Sequence, residues 1–253
     1  DIKLLEGLTF KTLASIEYFH GINDYFEPVI FSSDKGYASD GYDYQNSFLS
    51  ENTLNYIKNF GANHSVNLVG GFTYQSFLGR GATASVTGLA TNTTENYNLA
   101  SASTINTPSN YISEWKLLSW LGRANYSFKG KYLLTASIRS DGSSRFGANH
   151  KWGIFPSGAV GWRVSEEEFM KAVSQISNLK LRASYGATGN TALNPYQSLS
   201  RLSSVKYIVS NGTQEVGWTP TGISNADLRW ETTKQVDFGL DMGLFNDRIN
   251  VTF

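Results

Sequence analysis

Residues 120–139 read WLGRANYSFKGKYLLTASIR, two alternating segments joined by the tight turn Lys129-Gly130-Lys131. One parity of each segment is apolar or small, with Trp120, Gly122, Ala124, Tyr126 and Phe128 before the turn and Tyr132, Leu134, Ala136 and Ile138 after it. The other parity is mostly polar. A period of two is typical of a β-strand whose two faces meet different surroundings, so this stretch predicts an antiparallel hairpin.

The same alternation recurs along the whole chain. It predicts nine strands, at about residues 8–19, 48–59, 66–77, 115–128, 132–139, 157–164, 179–187, 230–243 and 249–253. The predicted connections are long at 20–47, 78–114, 140–156 and 188–229, and short at 60–65, 129–131 and 244–248. Long loops on one side and tight turns on the other are the arrangement of bacterial outer-membrane barrels, whereas a soluble β-sandwich has no reason to sort loops by side.

One connection on the short side is longer than the others. Residues 165–178 are predicted to form a small helix, with Ser165 as the N-cap and Glu168 completing a capping box. Phe169 and Val173 would then share one face of that helix.

Aromatic residues of the apolar parity gather near both ends of the predicted strands. Those near the short turns are Tyr56, Tyr126, Phe128, Tyr132 and Trp162, and those toward the long loops are Tyr18, Phe72, Tyr74 and Trp120. Two such belts around a lipid-facing band are typical of a transmembrane barrel, and a half-buried soluble sheet is the alternative. Lys234 shares the lipid-facing parity of Val236, so we expect it to lie above the bilayer.

Composition narrows the possible functions. The chain has 253 residues, no cysteine and a formal net charge of zero. Thiolate metal sites, cysteine nucleophiles and disulfides are therefore excluded, and no basic excess points to nucleic acid. No apolar run is long enough for a transmembrane helix. An odd number of strands ending within a strand cannot close a barrel, so we expect this chain to be part of a larger one.

Motifs for catalysis or metal binding are weak. His20, His64 and His150 are far apart in sequence, and Gly79-Arg80-Gly81-Ala82 lacks the Lys of a phosphate-binding loop. Asp237 and Asp241 share one face of a predicted strand, where solvated lumenal charge is expected and a hydrolase pair is a remote alternative. We therefore expect no enzyme, no cofactor and no metal site.

Three stretches resemble the barrel of SusC/RagA-family TonB-dependent transporters. They are YLLTASIRSDGSSRFGANHKWGIFPSGAVGWRVSEEEFM at 132–170, NLKLRASYGATGN at 178–190 and NADLRWETTKQVDFGLDMGLFNDRINVTF at 225–253. The resemblance implies an all-β, antiparallel transmembrane barrel of roughly twenty-two strands, with long extracellular loops, short periplasmic turns and one short periplasmic helix. Residues 1–253 would be a partial barrel domain, without the plug domain and TonB box of the family.

The resemblance also implies a function. Such barrels lie in the Gram-negative outer membrane and import oligosaccharides or peptides, with energy from the TonB complex and a SusD-like surface lipoprotein as a lid. A non-transporting adhesin or structural barrel, a barrel enzyme and a soluble β-sandwich are the alternatives.

The predicted long loops are the expected sites of substrate or lid contact. One set of aromatic residues, Tyr25, Phe26, Phe31, Tyr37, Tyr42 and Tyr44, lies among Asp34, Asp40 and Asp43, and a second set is Tyr196, Tyr207 and Trp218. Aromatic rings stack on sugar rings and carboxylates accept hydrogen bonds from hydroxyls, so these residues could bind glycan. Packing of the aromatics within the loops, or against the lid, is the alternative.

Several residues of the resembling stretches have predicted structural roles. Asp141 is expected to form a charge network with Arg139 and Arg145 at a loop base, or a solvated surface pair. Pro156 is expected to begin a strand, because it has no amide donor. Trp230 is expected to anchor the chain at the membrane interface, with Glu231 facing the lumen.

Overall fold

The computed structural model describes residues 1–30, 35–210 and 212–253, and most of them lie in strands. The strands are β1 (Ile2–Leu5), β2 (Leu8–Ile22), β3 (Tyr25–Glu27), β4 (Tyr37–Phe60), β5 (His64–Thr87), β6 (Thr104–Ile105), β7 (Ser109–Phe128), β8 (Tyr132–Ser143), β9 (Trp152–Arg163), β10 (Ile176–Asn190), β11 (Arg201–Ile208), β12 (Gln214–Gly222), β13 (Glu231–Leu244) and β14 (Ile249–Thr252). Short 3₁₀ turns occupy Leu99–Ser101, Val164–Glu166 and Glu168–Met170. Within the described ranges, no helix has the length and apolarity to cross a membrane.

Most strands pair with their neighbours in sequence. The main sheet has the order β1-β2-β4-β5-β7-β8-β9-β10-β13-β14, with β3 added beside β4 and β6 beside β5. Strands β11 and β12 form a separate antiparallel hairpin in the connection between β10 and β13. The predicted all-β, antiparallel architecture is therefore confirmed.

The chain divides into two compact units. Unit 1 contains residues 1–13, 50–74 and 117–253, and unit 2 contains residues 14–49 and 75–116. Strands β2, β4, β5 and β7 each contribute residues to both units.

The hairpin predicted from residues 120–139 is present in unit 1. Phe128 pairs with Tyr132, and the ladder continues without a register shift to Leu117 and Ser143. Lys129 and Gly130 have positive φ angles of 53° and 67°, which the three-residue turn requires and which glycine adopts without strain.

Two of the long connections are shorter than predicted. Strand β4 begins at Tyr37, β5 continues to Thr87 and β7 begins at Ser109, so much of 20–47 and 78–114 is strand. Apolar alternation predicts a strand only where one face is buried or lipid-covered. In these extensions polar, small and apolar residues are mixed, so the regular alternation disappears although the backbone ladder continues.

The helix predicted at 165–178 is not present. Two 3₁₀ turns and the start of β10 occupy this range, and Ser165 caps neither turn. Glu167 instead fastens the connection, because its carboxylate accepts hydrogen bonds from Tyr132 Oη at 2.6 Å, Trp162 Nε1 at 3.1 Å and Lys131 Nζ at 3.3 Å. The hydrogen bonds from Tyr132 and Trp162, with a smaller contribution from Lys131, lower the pKa of Glu167 against an opposing effect of desolvation.

Two of the resembling stretches meet in a small core. Phe146 is 1% exposed and its ring lies 4.6 Å from that of Trp230, which also contacts Phe155 at 5.3 Å. The indole Nε1 of Trp230 donates to the carbonyl of Lys151. The ring of Trp230 is half-buried in this contact and its polar atom bonds to backbone, and its predicted role as an interfacial anchor stays a prediction.

Backbone hydrogen bonds join the same two segments. The amides of Gly147 and Asn149 donate to the carbonyls of Leu228 and Ala226, at 2.8 Å and 3.2 Å. A Cβ on Gly147 would collide with the Ala226 carbonyl, so only glycine permits this approach. We call residues 144–151 packed against 225–230 the loop clasp.

The start of β9 also differs from the prediction. The strand begins at Trp152, and Pro156 lies inside it, opposite Ile138. Each residue of an antiparallel strand directs its amide toward only one neighbour, so a proline fits where no amide donor is required.

Replacing Glu167 by Gln should lower the thermal unfolding midpoint of the full-length protein in detergent at neutral pH. A carboxylate with a lowered pKa stabilises the fold above its usual pKa of 4.5, and this contribution disappears as the pH falls through the lowered value. The difference between Glu167→Gln and wild type should therefore shrink below pH 4.5. Glu168→Gln is the matched control: Lys171 also lowers the pKa of Glu168, but through an exposed ion pair, and exposed pairs contribute little to stability. An equal effect of both variants would contradict this role for Glu167.

Replacing Phe146 by Ala should destabilise the loop clasp by about 3–5 kcal/mol, since the change removes a buried ring and leaves a cavity. Amide hydrogen exchange of residues 144–151 and 225–230 measures this opening directly. Phe169→Ala, which truncates an exposed ring, should leave their exchange unchanged. Unaltered protection in Phe146→Ala would mean that the backbone bonds alone maintain the clasp.

Candidate functional site

Unit 1 exposes a continuous apolar face. Pairing across β7, β8, β9, β10 and β13 aligns one row of Phe128, Tyr132, Trp162, Leu181 and Leu240, a second of Tyr126, Leu134, Val160, Ala183 and Phe238, and a third of Ala124, Ala136, Gly158, Tyr185 and Val236. Phe238 is 80% exposed and Val160 is 55% exposed. Contiguous apolar surface of this extent is unusual on a soluble monomer and indicates contact with an apolar environment.

The opposite face of these strands is polar and internally hydrogen-bonded. Arg139 Nε lies 2.7 Å and 2.8 Å from the two carboxylate oxygens of Asp141, and Arg139 Nη2 donates to Ser119. Arg182 pairs with Asp241 at 2.9 Å. The predicted network at Asp141 is thus present with Arg139. Arg145 Nη1 donates to the carbonyl of Thr191, and burial lowers the pKa of Arg145.

Side chains considered for catalysis or metal binding are dispersed. His64 contacts Tyr126 Oη at 2.7 Å, whereas His150 pairs with Asp227 at 3.5 Å. Gly79–Ala82 lies inside β5 and forms no loop. Among the described residues, no group of three or more His, Asp or Glu side chains could bind a metal ion.

The first predicted set of loop aromatics belongs to unit 2. Phe26 packs on a core of Ala38, Val86 and Leu89. Tyr25 and Tyr37 contact each other, and Tyr44 lies between Tyr18 and Arg80. Tyr42 lines two neighbouring grooves of about 520 Å³ and 340 Å³ that also contain Asp40. Phe31 and Asp34 lie outside the described residues.

The second predicted set belongs to unit 1. Tyr196 lies in the connection after β10 with a positive φ of 67°, and Tyr207 and Trp218 lie on the β11–β12 hairpin. Trp218 is 69% exposed. Tyr207 Oη donates to Glu215 at 3.4 Å.

The sequence-based prediction named Asp43 but missed a third group of side chains around it in unit 2. Tyr111 Oη donates to Asp43 Oδ1 at 2.8 Å, and Asn23 Nδ2 donates to Asp43 Oδ2 at 2.6 Å. Phe77 and Trp115 stack nearby along the same strands. Tyr111 lies in the range 78–114, which the sequence predicted to be a loop. The shared parity of Tyr111 and Trp115 is the signal that could have revealed it.

Comparisons with known proteins agree with this architecture. The family model described as "TonB dependent receptor-like, beta-barrel" matches residues 7–253. The chain is 40% identical over 255 residues to TonB-dependent receptor P3 of Formosa agariphila, covering 99% of this chain and 25% of that protein. It is 39% identical over 146 residues to TonB-dependent receptor SusC of Bacteroides thetaiotaomicron, covering 55% of this chain and 14% of that protein.

A solved structure gives the same result. The chain superimposes on a chain of the RagAB peptide transporter with a TM-score of 0.89 and 25% identity, covering 99% of this chain and 28% of that one. The resemblance inferred from sequence is confirmed, and the chain spans about a quarter of the length of the first of these relatives. This chain belongs to the TonB-dependent receptor β-barrel family.

Proposed function

We propose that this chain is a barrel-wall portion of a TonB-dependent nutrient importer of the Gram-negative outer membrane. The observation that carries the proposal is the in-register ladder from β7 to β13, which has an exposed apolar face and a hydrogen-bonded polar face. Such a wall separates lipid from an aqueous path. The family match favours import over a non-transporting barrel.

The two faces of the wall have different roles. The apolar rows contact lipid tails, and the aromatic row of Phe128, Tyr132 and Trp162 lies at the interface with water. The polar face lines the path of the substrate. Its charged groups include the ion pair of Arg139 with Asp141.

The resemblance to SusC/RagA-family transporters supports an oligosaccharide or peptide substrate, a SusD-like lipoprotein lid, and energy from TonB through a region outside this chain. The relatives named above are a TonB-dependent receptor, SusC, and a peptide transporter, RagAB.

The aromatic side chains of the connections are the proposed contacts with substrate or lid. Trp218 has the strongest support, because the β11–β12 hairpin exposes it beside Leu202 and Val216 and a lone hairpin is marginally stable in water. Tyr25, Tyr37, Tyr42, Tyr196 and Tyr207 remain proposed contacts. Phe26 and Tyr44 already pack against this chain, which supports a structural role for them.

Import is tested by uptake in the host bacterium. Wild-type, gene-deleted and complemented cells receive a fluorescently labelled partial hydrolysate of starch and, separately, labelled tryptic peptides of casein. Uptake of at least one probe should disappear on deletion, return on complementation, and disappear when a protonophore collapses the proton-motive force that drives TonB. Equal uptake of both probes by all three strains would contradict the proposal.

Replacing Trp218 by Ala should weaken the association of the full-length protein with its lid lipoprotein by about tenfold, the usual effect of removing a central interface tryptophan. The lipoprotein that co-purifies with the wild-type protein is measured by quantitative mass spectrometry. Phe169→Ala is the control, because Phe169 is an exposed aromatic in the short connection after β9. Unchanged co-purification in Trp218→Ala would remove Trp218 from the lid interface.

A further inference from the structure

The carboxylate of Asp43 in β4 is oriented by Tyr111 of β7 and by Asn23, which lies in the connection between β2 and β3. It accepts hydrogen bonds from Tyr111 Oη at 2.8 Å and Asn23 Nδ2 at 2.6 Å, one on each oxygen. Each carboxylate oxygen can accept more than one hydrogen bond. Because Tyr111 is 49% exposed, an incoming hydroxyl group can reach this pair from solvent.

Gly81 in β5 makes this contact possible. A Cβ at Gly81 would lie 2.6 Å from Asp43 Oδ1, 2.7 Å from Tyr111 Cε1 and 2.7 Å from the Tyr42 carbonyl oxygen. Any other residue would push the phenol and the carboxylate apart. Three adjacent strands of unit 2, β4, β5 and β7, therefore provide the carboxylate, the glycine and the phenol of this contact. A chance pair of surface side chains would not require a glycine on the strand between them.

An aromatic pair lies further along the same two strands. The rings of Phe77 and Trp115 are nearly parallel, 15° between planes and 5.9 Å between centroids. Phe77 precedes Gly81 by four residues and Trp115 follows Tyr111 by four, so both share the parity of the Asp43 site. The separation along the strands is about 13 Å, a distance that a short oligosaccharide spans.

We infer that Asp43, Tyr111, Phe77 and Trp115 form an oligosaccharide-binding subsite on unit 2, an inference that rests on the proposed import function. The carboxylate and the phenol bind sugar hydroxyls, and the aromatic pair stacks on the apolar face of a sugar ring. Period-two alternation gives Tyr111 the parity of Arg123 and Asn125 along β7, which is the polar parity proposed to line the path.

The charges of the subsite disfavour an acidic ligand. The cationic side chains on the unit 2 part of β5 and β7 are Arg80 and Lys116, and both have the other parity. Arg80 lies over the ring of Tyr44, and Lys116 pairs with Glu114 at 2.9 Å. No cation among the described residues of these two strand segments shares the parity of Tyr111, so the subsite offers no counter-charge to an acidic peptide.

Saturation-transfer NMR on the full-length importer in detergent tests the subsite. The probes are maltohexaose, cellohexaose, laminarihexaose and the uncharged peptide N-acetyl-(Ala-Ser-Gly)₂-amide. At least one hexasaccharide should bind wild type, and Trp115→Ala should weaken that binding about fivefold or more by removing the stacking ring. Trp115→Phe should retain most of the affinity, and Asp43→Asn should weaken binding while preserving shape.

Tyr18→Ala is the matched control, because Tyr18 is an exposed tyrosine of the other parity on β2 and should leave binding unchanged. Thermal unfolding midpoints identify any variant that fails to fold. The inference is overturned if no hexasaccharide binds at about 10 mM, if Trp115→Ala and Asp43→Asn bind like wild type, or if only the peptide binds. If sugar binds but energy-dependent uptake is absent, the proposed import function is refuted and the oligosaccharide-binding subsite is retained.

Discussion

Backbone hydrogen bonding between neighbouring strands is the interaction on which the rest of this structure depends. In an apolar medium each unpaired amide or carbonyl costs several kcal/mol, so a wall that contacts lipid must pair them all along its strands. The ladder does this without a register shift from Leu117 and Ser143 to Phe128 and Tyr132. A slip of one residue would move Val160 and Phe238 to the polar face and Asp237 to the apolar face, so the register also determines which surface meets lipid.

The ends of the ladder are secured by different means. At the short connection after β9, a single carboxylate, Glu167, accepts hydrogen bonds from Tyr132 and Trp162 and thereby orients two aromatic residues of the interfacial row. At the other end, the loop clasp combines backbone bonds with the buried ring of Phe146. Glycine is required there because backbone must approach backbone at Gly147. Both devices attach a connection to the strands beside it.

Polar groups on the wall are dispersed. The ion pair of Arg182 and Asp241 lies on the polar face, and in the described part of the chain no group of three or more His, Asp or Glu side chains could bind a metal ion. Aromatic residues instead differ by parity and environment. Phe128 and Tyr132 lie in the apolar rows, Phe146 and Trp230 pack in the clasp, and Trp115 lies with the oriented carboxylate of Asp43 in unit 2.

The sequence by itself determined the strand class, the two faces and the family, because period-two alternation and the resembling stretches depend only on local order. It also located the turn at Gly130 and the charge pair of Arg139 with Asp141, whose members are near in sequence. The full lengths of β4, β5 and β7 could not be predicted from the sequence, because regular alternation disappears where polar, small and apolar residues are mixed. Only the tertiary structure decided that Trp230 packs on Phe146 and that Tyr111 reaches Asp43. These contacts join residues distant in the chain, and strand pairing, which no local pattern encodes, brings them together.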